Sequence, residues 1–107
     1  MSEVRSFFEG IVGQVDKGKI AGMTATYQFN ITGDDAQVWS VVIANDDLTV
    51  SEGAAEKASI ELTMSGPDFL ALLAGQLNGQ MAFLTGKLKI KGDMTLAMKL
   101  QSVFKLG

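Results

Sequence analysis

The side chains best suited to chemistry are two acidic pairs, Asp34-Asp35 and Asp46-Asp47, and two aromatics with polar tips, Tyr27 and Trp39. Each acidic pair could lend oxygen ligands to Ca²⁺ or Mg²⁺. Neither lies in a calcium-binding loop with its closing Glu. Asp beside Gly or Asn is ordinary turn chemistry, so we expect two turns and no metal. Tyr27 is a candidate proton donor without a visible partner base. In a strand, Tyr and Trp ordinarily pack, and packing is the expectation for both. The absences narrow the field further. The chain has no His and no Cys, which excludes a Ser-His-Asp triad, a thiolate nucleophile, a disulfide and the usual Cys/His zinc sites. A carboxylate raised in an apolar pocket would be the remaining enzyme device. No Asp or Glu is placed for it, so we assign no catalytic residue and expect no cofactor.

The apolar residues are more informative. Near the C-terminus, Leu96, Leu100 and Val103 follow one helical stripe. Met94 and Met98, four apart, form a neighbouring stripe beside Ala97, and Phe104 adds to it. That sector is broader than a helix needs to cover one sheet face. Met81, Phe83 and Leu84, and Phe69 with Leu72 and Leu73, supply two more apolar helical surfaces. Methionine is unbranched and adaptable, which suits an irregular interior. Two arrangements stay open. The side chains can interdigitate in a filled core, with a leftover patch for dimerisation or docking on a larger protein. Or the helices can stand off a sheet and enclose an apolar cavity. Composition alone favours the filled core.

The elements that must position these residues follow from periodicity. Val4, Phe7, Phe8, Ile11, Val12 and Val15 predict a helix over 2–15, capped by Ser2, with 16–19 as its exit loop. Met23, Ala25, Tyr27, Phe29 and Ile31 alternate with polar residues, predicting a strand over 22–32. Strands over 37–44 and 48–51 complete a meander. A fourth strand over 58–64 leads into a helix capped by Ser65, with Asp68 three residues on and Gly75 as its stop. A short helix over 78–85, a lysine-rich edge strand over 87–91 and a last helix over 94–105, capped by Asp93, close the pattern. The sum is an α+β domain with helices on one face of a five-stranded sheet. At 107 residues and 47% apolar content, one domain over 1–107 is expected.

The net charge of −3 disfavours broad nucleic-acid binding. The charge is uneven: residues 1–86 carry net −7, and residues 87–107 carry five lysines against Asp93 alone. That basic end suits an anionic headgroup or membrane surface, or simply a solvated face. No apolar run is long enough to span a membrane and no leader is visible, so a soluble, cytoplasmic protein is expected.

The run Met81-Ala82-Phe83-Leu84-Thr85-Gly86-Lys87-Leu88-Lys89-Ile90-Lys91-Gly92-Asp93-Met94, continuing through Leu96-Ala97-Met98-Lys99-Leu100, resembles the sterol carrier protein 2 family of lipid-binding domains. Tyr27-Gln28-Phe29-Asn30-Ile31, Trp39 and the Ser65, Asp68, Phe69 spacing support the likeness. The resemblance implies a mixed sheet of order 3-2-1-4-5 and an apolar tunnel between helices and sheet. It also implies non-enzymatic binding and transfer of fatty acyl chains, acyl-CoA, phospholipids or sterols. The lining it implies is Phe69, Leu72, Leu73, Met81, Leu84, Met94, Met98 and Val103, with Phe83, Leu100 and Phe104 as further candidates. Peroxisomal relatives end in a Ser-Lys-Leu type tripeptide. This sequence ends Lys105-Leu106-Gly107, so that address is not expected. A short end beyond Phe104 implies a more open mouth, or one closed by a partner subunit.

Overall fold

Alternation builds the sheet, and the sheet carries everything else. The computed structural model describes residues 3–14, 17–33 and 36–104; for 12, 14 and 100–104 it describes the backbone alone. β1 (Ala25–Thr32) lies at the centre. It pairs antiparallel with β2 (Gln37–Ala44) and parallel with β4 (Ile60–Ser65). β3 (Asp47–Glu52) and β5 (Lys89–Gly92) form the two edges, both antiparallel to their neighbours. The order is β3-β2-β1-β4-β5, a mixed sheet.

One face of the sheet presents Tyr27, Phe29, Ile31, Trp39, Val41, Ile43, Leu48, Ile60, Leu62 and Met64, all buried. The helices cover this face. α1 (Glu3–Gln14) sends Val4, Phe8 and Ile11 into it, and α3 (Gly66–Leu73) sends Phe69 and Leu72. Phe8 is the hub, with its ring stacked 4.9 Å from Trp39 and 5.4 Å from Phe69. Such ring pairs add to the apolar burial that drives folding. The other face is polar. There Gln28 donates to Asn30 at 2.9 Å, and Asn30 donates to Thr63 at 3.1 Å. Gln28 also accepts from Ala55 N–H, which pins the β3–β4 connection across that face.

Several boundaries differ from the periodicity, each for a local reason. Residues 17–19, expected as part of the exit loop, belong instead to a single helical turn, α2 (Lys17–Ile20), anchored by the fully buried Ile20. β1 starts at 25, since Gly22 takes a left-handed turn at φ 75° and its N–H bonds Asp46 Oδ1. β5 starts at 89, because the N–H groups of Lys87 and Leu88 both bond Ala82 O, closing the preceding helix. The expected cap Ser2, the helix residue Val15 and the Asp34-Asp35 turn lie outside the described residues.

The other expected turn is a tight hairpin. Asn45 and Asp46 both have positive φ, 55° and 61°, joining paired Ala44 and Asp47. That is the geometry a two-residue hairpin loop needs, and Asn and Asp tolerate it. Asp46 Oδ1 accepts from Gly22 N–H and Asp47 Oδ1 from Leu48 N–H, and no group of three metal-ligating side chains occurs among the described residues. No helix among them is long and apolar enough to cross a membrane.

Candidate functional site

The helical layer is incomplete at the β4–β5 edge, and a cleft opens there. Its lower wall is the sheet, through Leu62 of β4 and Ile90 of β5, with Leu88 just before that strand. One side is the end of α3, through Leu72, and α4 (Gly79–Leu84), through Gly79, Gln80 and Phe83. The other side is α5 (Met94–Phe104), through Met94, Ala97 and Met98. The volume is about 440 Å³, within the range of small-molecule sites. Among the described residues, Gln80 is the one polar side chain in this lining and no titratable group borders it.

Local sequence fixes each wall. α3 starts at Ser65, whose hydroxyl accepts from Asp68 N–H at 3.2 Å, with Pro67 in the first turn. Pro there loses no helical hydrogen bond. α4 is capped by Asn78, whose Oδ1 accepts from Gln80 and Met81 N–H. α5 begins where Asp93 Oδ1 accepts from Thr95 N–H at 2.9 Å, an N-cap that also places a negative charge at the positive end of the helix. Tyr27 then ties α5 to the sheet. Its hydroxyl, buried beneath the helix, donates to Leu96 O at 2.8 Å. Burial, with a smaller effect from Asp93, pushes the phenol up from 10.0 to about 12. It stays neutral and remains a donor at ordinary pH.

Gly92 lets the end of β5 close against the backbone at the start of β4. It has φ +119°, and a Cβ there would lie 2.5 Å from Ser59 O. The same Ser59 O accepts from Asp93 N–H at 3.1 Å. Only glycine allows this approach, and it delivers the chain into α5 beside the cleft.

Of the lining residues expected from sequence, Leu72, Phe83, Met94 and Met98 border the cleft. Phe69 is buried in the aromatic core with Phe7, Phe8 and Phe29. Leu73 is partly buried and packs against that core. Met81 and Leu84 are 54% and 69% exposed and lie outside the cleft lining. The side chains of Leu100, Val103 and Phe104 lie outside the described residues. Leu62, Leu88 and Ile90 were read from sequence as strand residues only. Their alternation marked the inward face but not the gap above it. Gly79 and Gln80 carry no apolar bulk that would mark them, and Ala97 stood beside the Met94 and Met98 stripe without being named as lining. Lys89 and Lys91 pair with Thr63 and Glu61, so they lie on the sheet face away from the helices.

The comparisons with known proteins agree with this geometry. The chain is 35% identical over 103 residues to the Xenopus laevis protein named hydroxysteroid dehydrogenase-like protein 2. That match takes in 95% of this chain but 25% of the relative. It is 42% identical over 85 residues to human sterol carrier protein 2, covering 79% of this chain and 16% of that protein. It therefore spans a quarter or less of these relatives' lengths. The solution structure of palmitated SCP2L2 from Aedes aegypti superposes with a TM-score of 0.73 at 26% identity, over 97% of this chain and 95% of that one. The model of the SCP-2 sterol transfer family matches residues 8–105. With the mixed five-stranded sheet, the one-sided helical layer and the apolar cleft at its edge, the chain belongs to the SCP-2 sterol transfer family.

Proposed function

We propose that this chain binds a lipid acyl chain in the cleft between α3, α4, α5 and the β4–β5 edge, and carries it without covalent chemistry. The observation that carries this reading is the apolar lining itself: aliphatic, methionine and phenylalanine side chains around about 440 Å³, with Gln80 as the polar exception. Each methylene moved from water into such a lining is worth about 0.8 kcal/mol, so six inserted carbons supply about 5 kcal/mol. The polar head would stay at the mouth in water, because the described lining residues offer it no charged partner. The palmitated Aedes aegypti relative supports a fatty acyl group as the ligand class. Leu72, Phe83, Met94 and Met98 are the contact residues of this reading, joined by Leu62, Leu88, Ile90 and Ala97.

Native mass spectrometry of gently purified protein, before and after exposure to a mixed fatty-acid pool, tests it. A discrete adduct of fatty-acid or phospholipid mass is the expected result. A bare mass in both samples would overturn the reading.

A further inference from the structure

The sheet has two edges, and they are finished differently. At the β3 edge, α1 and α2 lie against the strand. The carboxylates at its two ends are engaged there: Glu52 pairs with Arg5, and Asp47 lies 4.0 Å from Lys17. β5 has β4 on one side and, among the described residues, no strand on the other. Lys89, Lys91 and Gly92 are exposed, and the helical layer is incomplete over this edge, where the cleft opens. An edge of this kind presents a row of backbone N–H and C=O groups on which a further strand can form.

The two faces of β5 define what that strand must carry. Lys89 and Lys91 stand opposite Thr63 and Glu61, on the face away from the helices. Neither lysine forms an ion pair among the described residues. The Glu61 carboxylate accepts instead from the side-chain amides of Gln28 and Asn30, at 3.3 and 3.5 Å. Ile90 points the other way, stands opposite Leu62 and lines the cleft. A strand added beside β5 must alternate in the same manner. Its side chains beside Lys89 and Lys91 meet cations, and across a ladder opposite charges attract while like charges repel. Its side chains beside Ile90 meet the apolar side of the sheet. A second β5 continuing the sheet would bring its own lysines onto the lysine face, which disfavours pairing between copies. Edge lysines deter indiscriminate pairing, but they admit a strand that brings the opposite charge.

We propose that β5 is a docking edge for an extended segment of a partner protein in which acidic and apolar residues alternate. The acidic side chains meet Lys89 and Lys91, and the apolar ones lie beside Ile90, continuing the floor of the cleft past its open side. Main-chain hydrogen bonds to β5 hold the segment, and the alternation selects it. Lys89 and Lys91 are not part of the cleft lining, so docking and lipid capture can be separated by experiment.

A blocked octapeptide alternating Glu and Val is the probe, titrated at neutral pH into isotopically labelled protein and followed by NMR. The amides of Lys89, Ile90 and Lys91 should shift and exchange more slowly with solvent, while those of β3 stay unmoved. An octapeptide alternating Lys and Val, and one with its Glu and Val segregated into two blocks, should each bind about tenfold more weakly or less. Added salt should weaken the Glu–Val complex. The double variant Lys89→Glu, Lys91→Glu should reverse the preference, taking the Lys–Val peptide over the Glu–Val one. A reversal cannot arise from misfolding, and palmitate capture by the double variant should match the parent. Unmoved β5 amides, an equal response to all three peptides, or an unchanged preference in the double variant would overturn the docking edge and leave the lipid reading standing. A concentration-dependent dimer that protects the β5 amides without peptide would give the edge to a second copy and overturn it as well.

Discussion

Ala97→Phe should block the cleft while leaving the fold standing. Ala97 sits on α5 between Met94 and Met98, half-buried, with its methyl toward the cleft. At about 30 Å³ for a water-sized group, the volume of about 440 Å³ holds about fifteen such groups. A phenyl ring in place of a hydrogen of Ala97 occupies the room of about six methylenes, worth about 5 kcal/mol at most. Met94 and Met98 are flexible and more than 40% exposed, so they can swing aside and return part of that space. A net loss of about half the maximum, about 2.5 kcal/mol, weakens palmitate binding roughly 70-fold. The ring enters empty space, so the stability change is set mainly by helix propensity, about 0.5 kcal/mol. Calorimetric titration with palmitate, beside thermal melts by circular dichroism, measures both quantities. Thr95→Phe, on the exposed side of the same helix and outside the cleft lining, should bind as the parent does. An Ala97→Phe protein that melts normally and binds palmitate with undiminished affinity would refute the cleft as the ligand site.

Three further changes test how the cleft is built. Gly92→Ala forces a Cβ to within 2.5 Å of Ser59 O at a φ of +119° and should cost about 2–4 kcal/mol; faster hydrogen exchange at the β4–β5 edge and at Asp93 N–H is the readout. Tyr27→Phe removes the bond to Leu96 O and should cost about 1 kcal/mol. Because folding raises the Tyr27 phenol from 10.0 to about 12, its contribution is complete below pH 10 and is lost as pH rises toward 12; urea midpoints should fall across that window in the parent more than in Tyr27→Phe. Phe8→Ala empties the centre of the aromatic stack and should cost about 3–5 kcal/mol by chemical denaturation.

The sheet was legible because one face of each long strand is buried, and burial writes period two into the sequence. Tyr27, Phe29 and Ile31 on β1, and Ile60, Leu62 and Met64 on β4, all face the core as their alternation implies. The caps at Ser65 and Asp93 were legible because each satisfies backbone N–H groups by a known spacing. Short elements were harder. α2 has one buried residue, Ile20, too few for a period. The meander of β1, β2 and β3 was legible in its tight turns, but the places of β4 and β5 and the mixed pairing were not written in any local pattern. They came from the resemblance carried by residues 81–100.

The cleft was the least legible feature, and its cause is specific. A helix that lines a solid core turns its largest apolar side chains inward. α4 does the reverse. Its fully buried residue is Ala82, while Met81, Phe83 and Leu84 are 54%, 43% and 69% exposed. α5 follows suit over its described side chains, with Ala97 and Leu96 half-buried and Met94 and Met98 exposed. Small inward residues leave the gap, and large outward residues surround it. Hydrophobicity alone cannot separate these two roles, because Met81 and Leu84 score as core residues in either case. Side chains left in water forgo the stabilisation that the same area rule gives Phe8 and Tyr27. A sequence keeping bulk outside and alanine inside therefore holds apolar surface in reserve, and that surface gains only when something apolar covers it.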